Sequence, residues 1–235
     1  EKLIKVQIEQ TMDEDEALAK ELPYNEMAKF GWVPETRDSK EKVINLRKYF
    51  EVVELQLLEN SQITRIACRR LAVTDKGDFA LMAWAQEAKI KARDIDTAPI
   101  NIKTLISTIP EIRKMSLQKP TVFCPKLKSL LADCGIALVF LPHLKGSFLH
   151  GASFMDGRKI VVGLTARGKD ADKFWFSLFH EIAHIVLGHI GQPNGTCEED
   201  EKEADIWASN TLIPSELFKE FTNEVDISQT EVCAF

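Results

Sequence analysis

Two histidines and a glutamate stand together at His180-Glu181-Ile182-Ala183-His184, inside a long helical pattern. On an α-helix, residues four apart lie on one face, one turn apart, so both imidazoles can meet one ion. Zn²⁺ accepts imidazole nitrogen at about 2.0–2.1 Å. Glu181 sits beside the pair, close enough to take a proton from water at that ion. The spacing points to metal-assisted hydrolysis; on this segment alone, two core histidines satisfied by hydrogen bonds remain the alternative. Zinc catalysis also needs a third protein ligand and an open position for water. Downstream, Glu198–Asp205 carries six carboxylates in eight residues, a run that could be a solvated acidic face. Ala204, Trp207, Ala208, Leu212 and Ile213 nevertheless give the same helix an apolar side. Glu201 and Asp205 are four apart and share a face. Glu201 can reach the metal while Asp205 accepts the outer N–H of a ligating histidine, which fixes its tautomer.

The elements that must carry these residues are legible around them. Residues 1–60 read as helical, with Leu3, Ile4, Val6 and Ile8 opening an apolar stripe and Pro23 interrupting it. Asp38 and Glu41 have capping-box spacing before a helix that presents Val43, Leu46 and Phe50. Glu51–Leu58 continues as helix after a bend. Arg65, Arg69 and Arg70 form a basic cluster that reads as a solvated helix face. A turn at Thr74–Asp78 precedes a helix over Phe79–Asp94. Further helices are expected over Ile102–Ile109, stopped by Pro110, and over Lys126–Asp133, preceded by Pro125 and closed by Gly135. Ala137–Leu141, His150–Met155 and Lys159–Leu164 are strand-like, the last two joined at Asp156-Gly157 as a tight hairpin. Helices return over Asp170–Gly188, Cys197–Leu212 and from Ser215, with the Gly191–Gly195 turn folding one motif helix back on the other. Helices, a small meander and helices again predict an α+β fold.

Composition narrows the class. Of 235 residues, 45% are hydrophobic and 28% charged, the profile of a globular chain with a real core. The net charge of -6 argues against a chain that is itself a DNA clamp. No apolar run reaches bilayer length, and the opening residues, with Glu1, Lys2 and Lys5, are not expected to act as a signal peptide. The five cysteines are scattered with no CxxC pair, which predicts free thiols in a reducing, cytoplasmic setting. The chain opens without Met and ends in mid-pattern, so it is expected to be a fragment of a longer polypeptide. An intact mass of 26.6 kDa for the natural product would reject that expectation.

His180-Glu181-x-x-His184, then Glu201-x-x-Ala204-Asp205-x-Trp207-Ala208 and Leu212-Ile213-Pro214, resembles the ImmA/IrrE-type zinc metallopeptidases, with Trp207 in place of the usual Phe. The resemblance covers residues 100–235 well and 1–60 more loosely. It implies a zincin-like, thermolysin-like α+β domain over 76–235 with a small antiparallel or mixed sheet. Zn²⁺ would be held by His180, His184 and Glu201, with Glu181 as general base. Glu203 competes with Glu201, but points about 160° away on the helix; the family pattern and the partner Asp205 favour Glu201. Thermolysin-like enzymes assist the oxyanion with a Tyr or His. Tyr24 and Tyr49 lie far upstream; His143, His150 and His189 each read as ordinary surface histidines, and His150, heading a strand that could border the cleft, is the candidate among them. Asp172-Lys173-Phe174-Trp175-Phe176 resembles the branch fused behind a HigA-like, Xre-type helix-turn-helix antidote. That makes residues 1–75 a helical connector following a DNA-binding domain absent from this chain. The implied partners are a specific protein substrate (a repressor or the protein itself), a cognate toxin, DNA through the absent domain, and a second copy in a homodimer. The alternative is a catalytically silent antitoxin or regulator whose peptidase-like domain binds a toxin or effector.

Overall fold

The computed structural model describes residues 2–60, 75–145, 147, 150–165, 170–191 and 196–224. The Arg65, Arg69 and Arg70 cluster and most of the Gly191–Gly195 turn lie outside these residues. Helices α1 (Lys2–Ala19), α2 (Tyr24–Lys29) and α3 (Ser39–Phe50) are followed by a 3₁₀ turn over Leu55–Asn60. Next come α4 (Asp75–Arg93), α5 (Ile102–Lys114) and α6 (Pro120–Ala132), then β1 (Ile136–Leu141), β2 (Gly151–Asp156) and β3 (Lys159–Thr165). The chain continues with α7 (Ala171–Val186), α8 (Glu198–Leu212) and α9 (Ser215–Glu224). The fold is α+β and rich in helix. No helix among the described residues is long and apolar enough to cross a membrane.

Local chemistry explains the helical entry. The Asp38 carboxylate accepts the Glu41 N–H at 2.9 Å, satisfying a donor that the first turn of α3 leaves open. Asp15 is fully buried yet fully used: it accepts Arg47 Nε at 2.7 Å and the Leu55 N–H at 2.9 and 3.0 Å. One carboxylate thus ties α1 to α3 and to the start of the 3₁₀ turn, where Glu51–Leu58 reads from sequence as continued helix.

The sheet has the order β1-β3-β2, with β1 parallel and β2 antiparallel to β3. It is mixed rather than a meander, because β3 returns from the hairpin at Gly157 (φ 60°) into the space between its predecessors. Strand alternation divides two cores. Ala137, Val139, Leu141, Ala152, Phe154 and Val161 face α1–α4, whereas Ile136, Leu138, Ile160, Val162 and Leu164 face α5–α8. With both faces covered, β1 and β3 read as continuous apolar runs.

Three helix boundaries differ from the sequence expectation. Residues 75–78 belong to α4 instead of a turn. Pro110 lies inside α5 and Pro125 inside α6. An interior proline removes one helical N–H and crowds the preceding turn, at a cost of about 3 kcal/mol. Beyond Pro110, Ile112 and Met115 are almost wholly buried. Ahead of Pro125, the Phe123 ring packs 4.8 Å from Trp175 and 5.6 Å from Phe174. Burial of such side chains offsets the proline cost at about 1.5–3 kcal/mol each. Gly135 does close α6 as expected, and for two reasons. It holds φ 87°, and a Cβ there would lie 2.5 Å from the Ile100 backbone.

Gly163, in the central strand, receives the fully buried Trp84 of α4; an added Cβ would stand 2.5 Å from Trp84 Cη2. Gly163→Ala is therefore expected to destabilise the fold by about 1–3 kcal/mol through overpacking. Thermal unfolding measures this, and an unchanged midpoint would contradict the packing described.

Candidate metal centre

Helix α7 is apolar nearly all round, and Trp175, Leu178, Phe179, Ile182 and Ile185 are buried. That burial fixes the rotation of the helix, so His180 and His184 turn toward α8. On α8, Ala204 and Ala208 are fully buried. Small side chains on that face let the two helices approach closely, and they share it with Glu201 and Asp205.

The donors converge. His180 Nε2 and His184 Nε2 stand 3.0 Å apart, Glu201 Oε2 lies 3.3 Å from His180 Nε2, and Glu201 Oε1 lies 3.5 Å from His184 Nε2. Ligands on one tetrahedral zinc, at bonds of 2.0–2.1 Å, stand about 3.3 Å from one another. The donor set and spacing fit such an ion, and these three side chains form a group able to hold a metal. The Thr196 hydroxyl donates to Glu201 Oε1 at 3.0 Å and steadies the carboxylate. Asp205 Oδ1 lies 2.8 Å from His180 Nδ1, on the outer side of that ring. Asp205 thus meets the nitrogen of His180 that faces away from His184 and Glu201, and is not among the converging donors.

Glu181 is 1% exposed and rests against the start of β2. A Cβ on Gly151 would stand 2.8 Å from Leu164 Cδ2 and 3.0 Å from Glu181 Cγ and Oε1, so a side chain there would press on this carboxylate. His150 precedes Gly151 and is exposed; its carbonyl accepts the Thr165 N–H at 2.8 Å. It borders a cavity of about 380 Å³ whose apolar wall includes Phe123, Phe140, Leu164, Phe174 and Trp175. That cavity runs along α7 ahead of the histidines, and His180, His184 and Glu201 do not line it. Tyr24 and Tyr49 are remote: their hydroxyls donate to the Pro34 and Ala83 carbonyls in the other core.

One sequence expectation fails: His189 is 4% exposed rather than a surface residue, and its Nδ1 stands 3.1 Å from His184 Nδ1. Glu203 lies outside the group of His180, His184 and Glu201, and its Oε2 is 3.4 Å from His189 Nε2. A signal for His189 was present. Gly188 holds φ 79°, with Gly188 N–H donating to the Ile185 carbonyl and His189 N–H to the His184 carbonyl. This is the Schellman closure, in which the residue after the glycine folds back onto the last helical turn. Leu187-Gly188-His189 therefore brings His189 back onto His184.

Asp200 accepts the Cys197 N–H at 2.9 Å, and this bond holds its carboxyl below the usual carboxylate range. With Glu198, Glu199 and Glu201 it fills the first turn of α8, where the helix dipole favours negative charge.

Residues 134–232 match the family model of the IrrE N-terminal-like domain (Peptidase_M78). The matched region runs through the sheet and both motif helices and is less than half of the chain. No curated protein and no solved structure gives a significant match.

Zinc affinity separates the side chains of α8. Asp205→Asn keeps the shape but weakens the pull on His180, so affinity should fall about 10–100-fold. Glu201→Gln should cost more, because a donor in the converging set is lost. Competition with a chromogenic chelator reads both, and wild-type affinity in Asp205→Asn would overturn the arrangement.

Proposed function

We propose that the chain is a zinc-dependent endopeptidase with a zincin-like, thermolysin-like domain over residues 76–235 and a helical connector over 1–75. The observation that carries this reading is the convergence of His180, His184 and Glu201 donors with Glu181 buried beside them. The IrrE N-terminal-like match over the same helices supports it. Zn²⁺ held by these three side chains would supply Lewis acidity, activating water and polarising a peptide carbonyl.

The chain's own residues do the rest. Glu181 takes the proton of the attacking water on a carboxylate oxygen and passes it to the leaving amine. The absence of a side chain at Gly151 leaves space beside that carboxylate. Asp205 holds His180 with its Nε2 toward the metal. His150, next to Gly151 on the cavity rim, is the group this reading assigns to the developing oxyanion. The substrate is a specific regulatory protein or the protein itself, in keeping with a HigA-like regulator of the cytoplasm. DNA contact then belongs to a domain outside this chain, and a cognate toxin and a homodimer are the further partners.

The second reading is a silent antitoxin or regulator that binds a toxin or effector through the same domain. The remoteness of Tyr24 and Tyr49 from the metal centre favours it, because the site then lacks a tyrosine for the oxyanion. One variant discriminates. Glu181→Gln should bind zinc like wild type while cleavage falls about 10²–10⁴-fold. Comparative proteomics of cells carrying wild type or Glu181→Gln identifies the substrate. Identical proteomes with the cellular phenotype retained would leave the regulator reading standing.

A further inference from the structure

We propose that His189 is a positioning residue of the metal centre, a relay through which Asp200 and Glu203 act on the far nitrogen of His184. The proposal rests on His184 being a zinc ligand and asks what fixes its ring.

The two Nδ1 atoms stand 3.1 Å apart and both imidazoles are buried. At that distance one ring donates and the other accepts. His184 turns Nε2 toward His180 and Glu201. With that nitrogen given to a metal, a neutral His184 carries its proton on Nδ1. His189 Nδ1 must then accept, which places the His189 proton on Nε2. That nitrogen faces two carboxylates, Glu203 Oε2 at 3.4 Å and Asp200 Oδ1 at 3.6 Å. Both charges favour an N–H at this position, so each link selects the tautomer the next one needs. His180 has the shorter version of the same support, a direct contact with Asp205. Helix α8 therefore serves both histidines, one directly and one through a second ring.

His189, Asp200 and Glu203 could themselves gather a metal ion. Proton bookkeeping argues against simultaneous use of the two sites. A metal on His189 Nε2 would put a proton on its Nδ1, directly opposite the proton on His184 Nδ1. Filling both sites would require one imidazole to give up a further proton and become an anion. With His184 on zinc, the outer group works as the relay.

The test uses the full chain loaded with zinc. Long-range ¹⁵N–¹H correlation of histidine-labelled protein should show His184 protonated on Nδ1 and His189 on Nε2. His189→Phe fills the space without an acceptor and should lower zinc affinity about 10–100-fold. His189→Gln offers an amide oxygen to His184 and N–H to the carboxylates, and should recover most of the about 10–100-fold loss. A purely structural role would lose affinity alike in both variants. Wild-type affinity in His189→Phe, no rescue by His189→Gln, or a His189 protonated on Nδ1 each overturns the relay. Two zinc ions per wild-type chain, one of them lost in both His189 variants, would make the outer group a metal site instead. A wild type that binds no zinc overturns the relay together with the proposed function, whereas zinc bound normally by wild type and by His189→Phe overturns the relay alone.

Discussion

The centre depends on close contact between two helices of opposite character. Helix α7 is so apolar that only its histidines, its glutamate and a few polar side chains keep it from being core throughout. Helix α8 opens with four acidic residues; with Trp207 and Leu212 partly buried, its fully buried side chains are Ala204 and Ala208. Those two side chains permit the approach, and the approach turns a run of like charges into a set of partners for imidazole. Carboxylates crowded on one helix repel each other. Pointed at ring nitrogens and at the backbone N–H of Cys197, they are accommodated without burying unpaired charge.

Glycine does quieter work at the sheet. Gly163 opens one face of β3 to Trp84, and across the neighbouring Leu164, Gly151 opens the other face to Glu181. The carboxylate therefore lies against strand backbone where Gly151 carries no side chain.

Much of this was legible in the chain itself, because short-range geometry governs it. The i,i+4 pairs His180/His184 and Glu201/Asp205 needed only the helical repeat, and Asp38 and the Asp156-Gly157 turn needed only local backbone preferences. What escaped involved tertiary gain or unusual closure. Pro110 and Pro125 stay inside helices because Ile112, Met115 and Phe123 are buried around them, a benefit invisible to local propensity. The central place of β3 depends on how the segment after β1 crosses the molecule, which no period encodes. His189 read as a surface residue because its spacing from His184 matches no common ligand pattern. Its contact arises from a left-handed glycine, not from a helical repeat.

The two-sided sheet has a consequence for where this molecule can be divided. The family match begins at Cys134, just before β1. A piece cut there would retain the motif helices but lose the cover over Ala137, Val139, Leu141, Phe154 and Val161. It would present a bare, sticky β surface to its neighbours. The segment that the family model matches is thus smaller than the segment that covers both faces of the sheet. The helices ahead of it act as the missing half of an envelope, whatever else they connect to.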